Sequence, residues 1–275
     1  MEVNMKVAFQ GEAGAYSEEA SRGYFETQET VPCESFGAVF AAVSSDKCEF
    51  GLIPIENSLA GSIHENYDLL LQNELYIVGE YFLRVRHCLI GFPGVTKPEI
   101  RKVISHPQAL DQCAGFLRGM GVKTEPVYDT AGSVKILKAS GEHTSAAIAS
   151  HKAADIHGMQ ILQEGIEDNP ENYTRFLAIA RSPARPLGEA KTSIVFILKN
   201  QPGTLFKALS VFALREIDLT KIESRPLAGK PWEYLFYIDF IGGMHEERVK
   251  KALDHLGEYA LMLRVFGSYL RANIA

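Results

Sequence analysis

The 275-residue chain has four cysteines, Cys33, Cys48, Cys88 and Cys113, and no two of them form a CxxC pair. That spacing shows no disulfide framework and predicts free, reduced thiols in a core. Eight histidines are present, but there is no HExxH and no Cys/His cluster, so no metal site is expected. No apolar run approaches the ~18 residues of a membrane span. The start, "MKVAFQ", lacks the regions of a secretory leader and reads as a strand. These absences predict a cytoplasmic protein without membrane contact. Positive charge is not in excess either: 28 Lys and Arg against 34 Asp and Glu leave −6. Without a basic stripe to neutralise phosphates, nucleic acid is excluded as a partner. A small anionic substrate is compatible if its site gathers local donors. "GEAGAY" has two glycines but matches neither the dinucleotide nor the P-loop pattern, so no nucleotide is expected.

With 46% hydrophobic residues the chain can bury a large core in two or three domains. Up to about residue 180, short apolar runs such as Lys6–Phe9, Phe50–Ile55, Val85–Gly91, Ser145–Ala149 and Arg175–Ala180 alternate with helical patterns. That alternation predicts α/β units with largely parallel sheets. In "SHPQALDQCAGFLRGMG", Leu110, Cys113, Ala114 and Leu117 fall on one face of a single helix that starts at Pro107. "RSPARPLGEAK", residues 181–191, is a linker. Beyond it, strand, helix, two strands, helix and strand follow within roughly 80 residues, the ferredoxin-like βαββαβ order. Its helices present Leu205, Leu209, Phe212 and Ala213, then Val249, Ala252, Leu253 and Leu256, to the core.

Four segments share one design, a strand running into a short polar stretch that opens a helix: "VAFQGEAGAYSEEA", "GLIPIENSLAGSI", "KVISHPQAL" and "VYDTAGSV". Unpaired N–H groups at such helix starts bind carboxylates or phosphates. In open α/β sheets ligands bind beyond the carboxyl ends of the strands, where these segments belong. The plain alternative is that Ser17, Ser62, Ser105 and Thr130 are ordinary helix N-caps. Glu56-Asn57 is harder to explain that way, because a carboxylate beside an amide at the end of a buried strand is costly unless solvated or used. A further polar knot, Asn172-Tyr173-Thr174-Arg175, stands at the head of the apolar run 176–180. On its own it reads equally well as a turn that satisfies its own backbone.

"GEAGAYSEEA", "GLIPIENSLAGSI", "SHPQALDQC", "AAIAS", "IEDNPENYTRF" and "LTKIESRP" occur in the order found in prephenate dehydratases with a C-terminal ACT regulatory domain, and the chain resembles that family over essentially its whole length. The resemblance implies an α/β catalytic domain over 1–181, two-lobed like type II periplasmic binding proteins. Its lobes would lie near 1–78 and 79–177, with the chain returning to the first. A linker over 182–191 and a ferredoxin-like ACT domain over 192–275 complete the implied division. It implies loss of carbon dioxide and water from a cyclohexadiene, with aromatisation as the driving force and no metal or organic cofactor.

The threonine of "TRF", here Thr174, is implied to be catalytic, a positioned donor at the departing C4 oxygen. Asn57, Ser58, Ser105, Gln108 and Thr130 are implied to hold the pyruvyl carboxylate and the C4 oxygen. Arg175 would clamp a carboxylate unless it points behind the strand, Phe176 would pack on the ring, and His106 is an alternative acid. In the ACT domain, Ile222, Glu223, Ser224, Arg225 and Pro226 resemble one phenylalanine-binding segment. Gly203 and Leu205 match the other, where Thr204 replaces the usual alanine. L-phenylalanine is the implied effector and a homodimer or homotetramer the implied assembly. Two other readings compete: a cytosolic sensor of an anionic metabolite on the same fold, and arogenate dehydratase, whose substrate carries an amino group in place of the keto group.

Overall fold

The computed structural model describes residues 5–26, 29–227, 229–230 and 232–273, which fall into two compact units. The first comprises 1–71 and 81–176, the second 72–80 and 177–275. The chain opens with β1 (Lys6–Gln10), α1 (Tyr16–Phe25), β2 (Glu29–Cys33), α2 (Phe36–Ser44), β3 (Phe50–Asn57), β4 (Gly61–Ser62), α3 (His64–Gln72) and β5 (Tyr76–Arg84). It crosses to a second sheet with β6 (Cys88–Gly91), β7 (Lys102–Ser105), α4 (Pro107–Gln112), α5 (Ala114–Met120), β8 (Lys123–Pro126), α6 (Thr130–Ser140), β9 (Ser145–Ala149), α7 (His151–His157) and β10 (Gln160–Glu164). It then returns to the first sheet as β11 (Tyr173–Ala180). The first sheet has the order β2-β1-β3-β11-β5 with β4 beside β3, the second β10-β6-β9-β7-β8. The crossing falls between Arg84 and Cys88, later than a boundary near 78, because β5 runs on as a strand of the first sheet.

The second sheet departs from the largely parallel expectation. β7 is parallel to β8 and β9, but β6 is antiparallel to both β9 and β10. Period-2 alternation sorts its residues onto two cores. Cys88, Ile90, Ala147 and Ala149 meet Val134 and Leu137 of α6 and Ala153 of α7. Leu89, Val103, Ala146 and Ile148 meet Leu110 of α4 and Leu117 of α5. A sheet buried on both faces needs apolar residues at every position, and "SAAIA" reads accordingly.

The single helix expected after Pro107 is two, broken at Cys113, whose φ of −113° and ψ of 16° leave the helical region. The Asp168 carboxylate accepts Gly115 N–H at 2.7 Å and Phe116 N–H at 3.2 Å, so α5 starts on a distant side chain. The serines also differ from simple caps. Ala15, His106 and Asp129 are the N-cap residues of α1, α4 and α6, while Ser17 lies inside α1, Ser62 in β4, Ser105 at the end of β7, and Thr130 just after its cap.

The second unit carries β12 (Ala190–Leu198), α8 (Thr204–Ala213), β13 (Leu219–Pro226), β14 (Tyr234–Ile241), α9 (Glu247–Tyr259) and β15 (Ala260–Leu270), a βαββαβ domain with sheet order β13-β14-β12-β15. Ile194, Phe196, Phe240 and Ile238 pack under Phe212 of α8 and Leu253 of α9. Leu205, 37% exposed, and Ala213, also exposed, are not part of that core. The face opposite the helices is partly covered by 72–80. A Cβ on Gly267 would run into the Ile77 backbone, and Arg264 donates to Asn73 O. Lys191 and Glu80, both buried, pair at 2.7 Å, and Ala272 N–H donates to Glu80 at 3.0 Å.

A buried ion that loses its partner stays desolvated, which costs about 3–5 kcal/mol. Lys191→Met is therefore expected to destabilise the protein by that amount in equilibrium urea unfolding. Adding Glu80→Met is expected to restore at least half of the loss.

Candidate active site

The end of β3 and the start of β11 form the centre of the site. Asn57 Oδ1 accepts the backbone N–H groups of Leu59 at 3.1 Å and Ala60 at 2.9 Å, which fixes the amide's orientation. Its Nδ2 therefore donates: to Asn172 Oδ1 at 2.8 Å, to Thr174 Oγ1 at 3.0 Å and to Tyr173 O at 3.2 Å. With Asn172 Oδ1 an acceptor, Asn172 Nδ2 donates to Gln112 Oε1 at 3.1 Å. Gln112 Oε1 also faces His87 Nε2 at 2.8 Å, so that nitrogen carries the proton. In the neutral ring Nδ1 is then an acceptor, and Tyr16 Oη lies 2.9 Å from it.

Burial holds His87 below its ordinary pKa, although Gln112 and the Glu167 carboxylate, which accepts His87 N–H at 2.9 Å, pull the other way. The ring is neutral at pH 7. Burial pushes the Tyr16 phenol well up and the Cys88 thiol to about 12, so both neighbours are also neutral and protonated. Every group in this chain is uncharged. Thr174 Oγ1 receives a hydrogen from Asn57, which leaves its own hydrogen free for a ligand.

Tyr16 also borders a cavity of about 140 Å³, lined with Gln10, Gly14, Ser17, Asp129, Thr130 and Ser150. It sits at the N-terminal ends of α1 and α6, where unpaired N–H groups favour an anion. The "GEAGAYS", "VYDTAGS" and "AIAS" segments thus meet at one place. Gly14, at φ +89°, makes this possible: its Cβ position lies 2.7 Å from Ala153 Cα, and its carbonyl accepts Ser150 Oγ at 2.6 Å.

The other residues singled out by sequence are placed unevenly. The Ser58 hydroxyl donates to Glu171 O and accepts Tyr173 N–H, so it clasps β3 to β11 and has no hydrogen left over. The Ser105 hydroxyl is buried and donates to Ile148 O at 2.7 Å. Gln108 is exposed on α4, and His106 Nδ1 accepts its backbone N–H as a cap. Arg175 is buried and, one residue on in the strand, projects from the face opposite Thr174. Phe176 is 1% exposed and has no surface to offer a ring. Asn172 stood out only as part of the polar knot and was given no role, and Gln112, His87 and Tyr16 were not singled out. Gln112 and Asn172 are the two with a local signal, inside the quoted "DQC" and "ENYTRF" segments; His87 carries no sequence signal beyond being a lone histidine before an apolar strand.

In the second unit, Gly203 starts α8 in the left-handed region at φ +79°. Leu205 and Thr204 line a cavity of about 80 Å³ with Leu198, Tyr234 and Phe236. Ser224 and Pro226 pair with Phe236 and Tyr234, so "ESRP" lies beside this cavity. Ile222 and Ser224 are exposed, while Glu223 and Arg225 are half-buried on the opposite strand face. Among the described residues no group of three His, Cys, Asp or Glu side chains could hold a metal ion, and no helix is long and apolar enough to cross a membrane.

Two lobes around a polar cleft, followed by a ferredoxin-like domain with its own small cavity, define an enzyme with an attached regulatory domain. Residues 7–184 match the family Prephenate dehydratase and 192–258 the ACT domain, and the chain belongs to the prephenate dehydratase family, lyases that couple dehydration to decarboxylation. It is 50% identical over 276 residues to arogenate dehydratase/prephenate dehydratase 2, chloroplastic, of Arabidopsis thaliana, covering 96% of this chain and 72% of that one. Among solved structures it is similar to GqqA, described as a novel type of quorum quenching acylase, with TM-score 0.90, 35% identity and coverage of 97% and 98%. It is also similar to the prephenate dehydratase of Arthrobacter aurescens in complex with L-Phe, with TM-score 0.89, 29% identity and coverage of 97% and 90%.

A neutral buried histidine ties stability to pH. Its folded pKa lies below the ordinary value of about 6.5, so the unfolded chain binds the proton first. Its contribution is complete above about pH 6.5 and is lost as pH falls towards the folded pKa. Between pH 7 and 5.5 the wild-type melting temperature is expected to fall more steeply than that of His87→Gln. Parallel slopes would contradict the assignment of a neutral ring.

Proposed function

We propose that the chain converts prephenate to phenylpyruvate, carbon dioxide and water, with Thr174 as the donor at C4. The observation that carries this is the Asn57 N–H on Thr174 Oγ1, which leaves the threonine hydrogen free for the leaving oxygen. The C1–carboxylate bond breaks, its electron pair enters the ring, and the C4–oxygen bond breaks. One proton is consumed, because the oxygen departs as water. As the threonine hydrogen shifts towards that oxygen, charge grows on Oγ1, and Asn57 N–H stabilises it. Amides orient but do not pass protons on, so the proton is made good from solvent in the cleft. The cavity beside Tyr16, with Thr130 and the starts of α1 and α6, takes a substrate carboxylate. Asn57 has a direct role at Thr174. The occupied hydroxyls of Ser58 and Ser105 serve as scaffold.

Arogenate is the second reading, favoured by the 50% identity to an enzyme named for both activities. The two substrates differ only by amino against keto, and steady-state rates on both decide. For the regulatory domain we propose L-phenylalanine as the effector, its charged ends on backbone groups near Gly203 and Leu205 and its ring beside Tyr234 and Phe236. β13 is an edge strand carrying exposed Ile222, and Phe206 on α8 is 76% exposed. Pairing of two chains would cover these, and a homodimer or a dimer of dimers is the proposed assembly. Four free thiols fit a reducing compartment, and the cytoplasm is the proposed location.

Thr174→Ala is expected to lose about 10²–10⁴ in kcat with little change in KM, and Thr174→Ser to retain more. An alanine variant at wild-type rate would exclude the donor role. Gly203→Val forces a β-branched residue to φ +79° and is expected to abolish L-phenylalanine binding by calorimetry while the unliganded rate persists. With the wild type, phenylalanine is expected to change substrate affinity by about 5–150-fold. Absence of any heat of binding to the wild type would overturn the regulatory reading.

A further inference from the structure

His87 is 2% exposed, makes directed contacts through both ring nitrogens, and touches neither Thr174 nor Asn57 through any hydrogen bond. It stands at the far end of the amide chain, with Gln112 and Asn172 between. Those two amides are held differently. Asn172 is fully buried and bonded on both sides, by Asn57 and by Gln112. Gln112 comes from the last residue of α4, immediately before the break at Cys113, so helix packing alone does not hold its long side chain. Its Oε1 has two donors, Asn172 Nδ2 and His87 Nε2. Without the second, a flexible side chain is left with one, and the amide that braces Asn57 can drift.

We propose that His87 is a positioning residue for the dehydration: donating from Nε2 to Gln112, it anchors the far end of the amide chain and so keeps Asn57 aimed at Thr174. The proposal rests on Thr174 being the donor at C4. The direction of each bond supports it. From the two backbone N–H groups at Leu59 and Ala60 to the imidazole, each acceptor fixes the next donor, and one ring tautomer completes the series. On the other side of the ring, the Tyr16 hydroxyl donates to the Arg86 carbonyl at 2.8 Å and its oxygen lies 2.9 Å from Nδ1, so the imidazole is held from both edges. His87 itself transfers no proton, because three amides separate it from the threonine.

A residue that acts through Thr174 has no further effect once the threonine hydroxyl is gone, and that is the test. His87→Leu is expected to lower kcat by about 2- to 150-fold, the usual span for coupled neighbours, with KM changed less than the kcat. In a Thr174→Ala background the same substitution is expected to cost less than about twofold, within the scatter of additive pairs. His87→Gln, which can present an N–H near the Nε2 position, is expected to recover most of the loss. Equal losses in both backgrounds, or a His87→Leu enzyme at the wild-type rate, would overturn the proposal. Should His87→Leu fail to fold, Gln112→Leu cuts the chain at the next link, and the same non-additivity with Thr174→Ala is required. A Thr174→Ala enzyme at full rate would instead remove the donor reading on which the proposal stands.

Discussion

Asn57 Oδ1 accepting two backbone N–H groups is the constraint on which the site's polarity depends. An amide can be turned over with little change of shape, and each turn would exchange a donor for an acceptor. Here the turn would set an NH2 group against two N–H groups and strand both, at roughly 1–3 kcal/mol for each unmade bond. Because the turn after β3 blocks that exchange, Asn172, Gln112 and His87 can each be satisfied in one way only. Thr174 inherits the result: its oxygen is bonded and its hydrogen is left for a ligand. A hydroxyl that accepted nothing would rotate freely and give its hydrogen to the nearest carbonyl.

The scaffold holds these groups by crossing the chain twice between two sheets. Ser58 after β3 and Tyr173 in β11 are 115 positions apart and are stitched together, the Ser58 N–H donating to Tyr173 O at 2.8 Å. Gln112 arrives from the second sheet, at a helix end fixed by its own carbonyl accepting Asp168 N–H. The Asn172 carbonyl accepts Val85 N–H at the crossing itself. The residues between the sheets are therefore bonded to those of the candidate site. The close approach of the segments that meet beside Tyr16 depends on Gly14, where a side chain would meet the Ala153 backbone.

Much of this was legible in the sequence, because the central strands β6 and β9 of the second sheet are short buried runs and the βαββαβ order is set by period. Amphipathic α9 buries all four of the residues its spacing selects. What escaped was what depends on distant partners. The break at Cys113 needs Asp168, 55 positions later than the helix periodicity looks. The covering of the regulatory sheet by 72–80 needs Gly267, whose missing side chain lets the Ile77 backbone approach. Hydroxyls misled for a related reason. Ser58 and Ser105 have residue types fit for binding, yet their hydrogens already serve backbone carbonyls, and no local pattern reveals that. Tyr16 and His87 are separated by 71 positions and meet only in the fold.

The proposed reaction with Thr174 as donor accounts for a site built of amides. Aromatisation supplies the driving force, so the protein must orient one donor and avoid charges that would hold the departing carboxylate. A buried carboxylate in this position would demand several donors of its own. Glu18 shows the scale of that demand: burial pushes its acid form, and the Gly14 N–H, Arg22 and Thr30 together are needed to hold it ionised. Glu80 needs Lys191. Asn57, Asn172 and Gln112 need no counter-ion, carry no pKa to drift, and leave the local field to the substrate. A site of neutral dipoles fixed by backbone N–H groups satisfies both requirements, because its order is set when the chain folds and does not have to be rebuilt as charge moves from the carboxylate through the ring to the leaving oxygen.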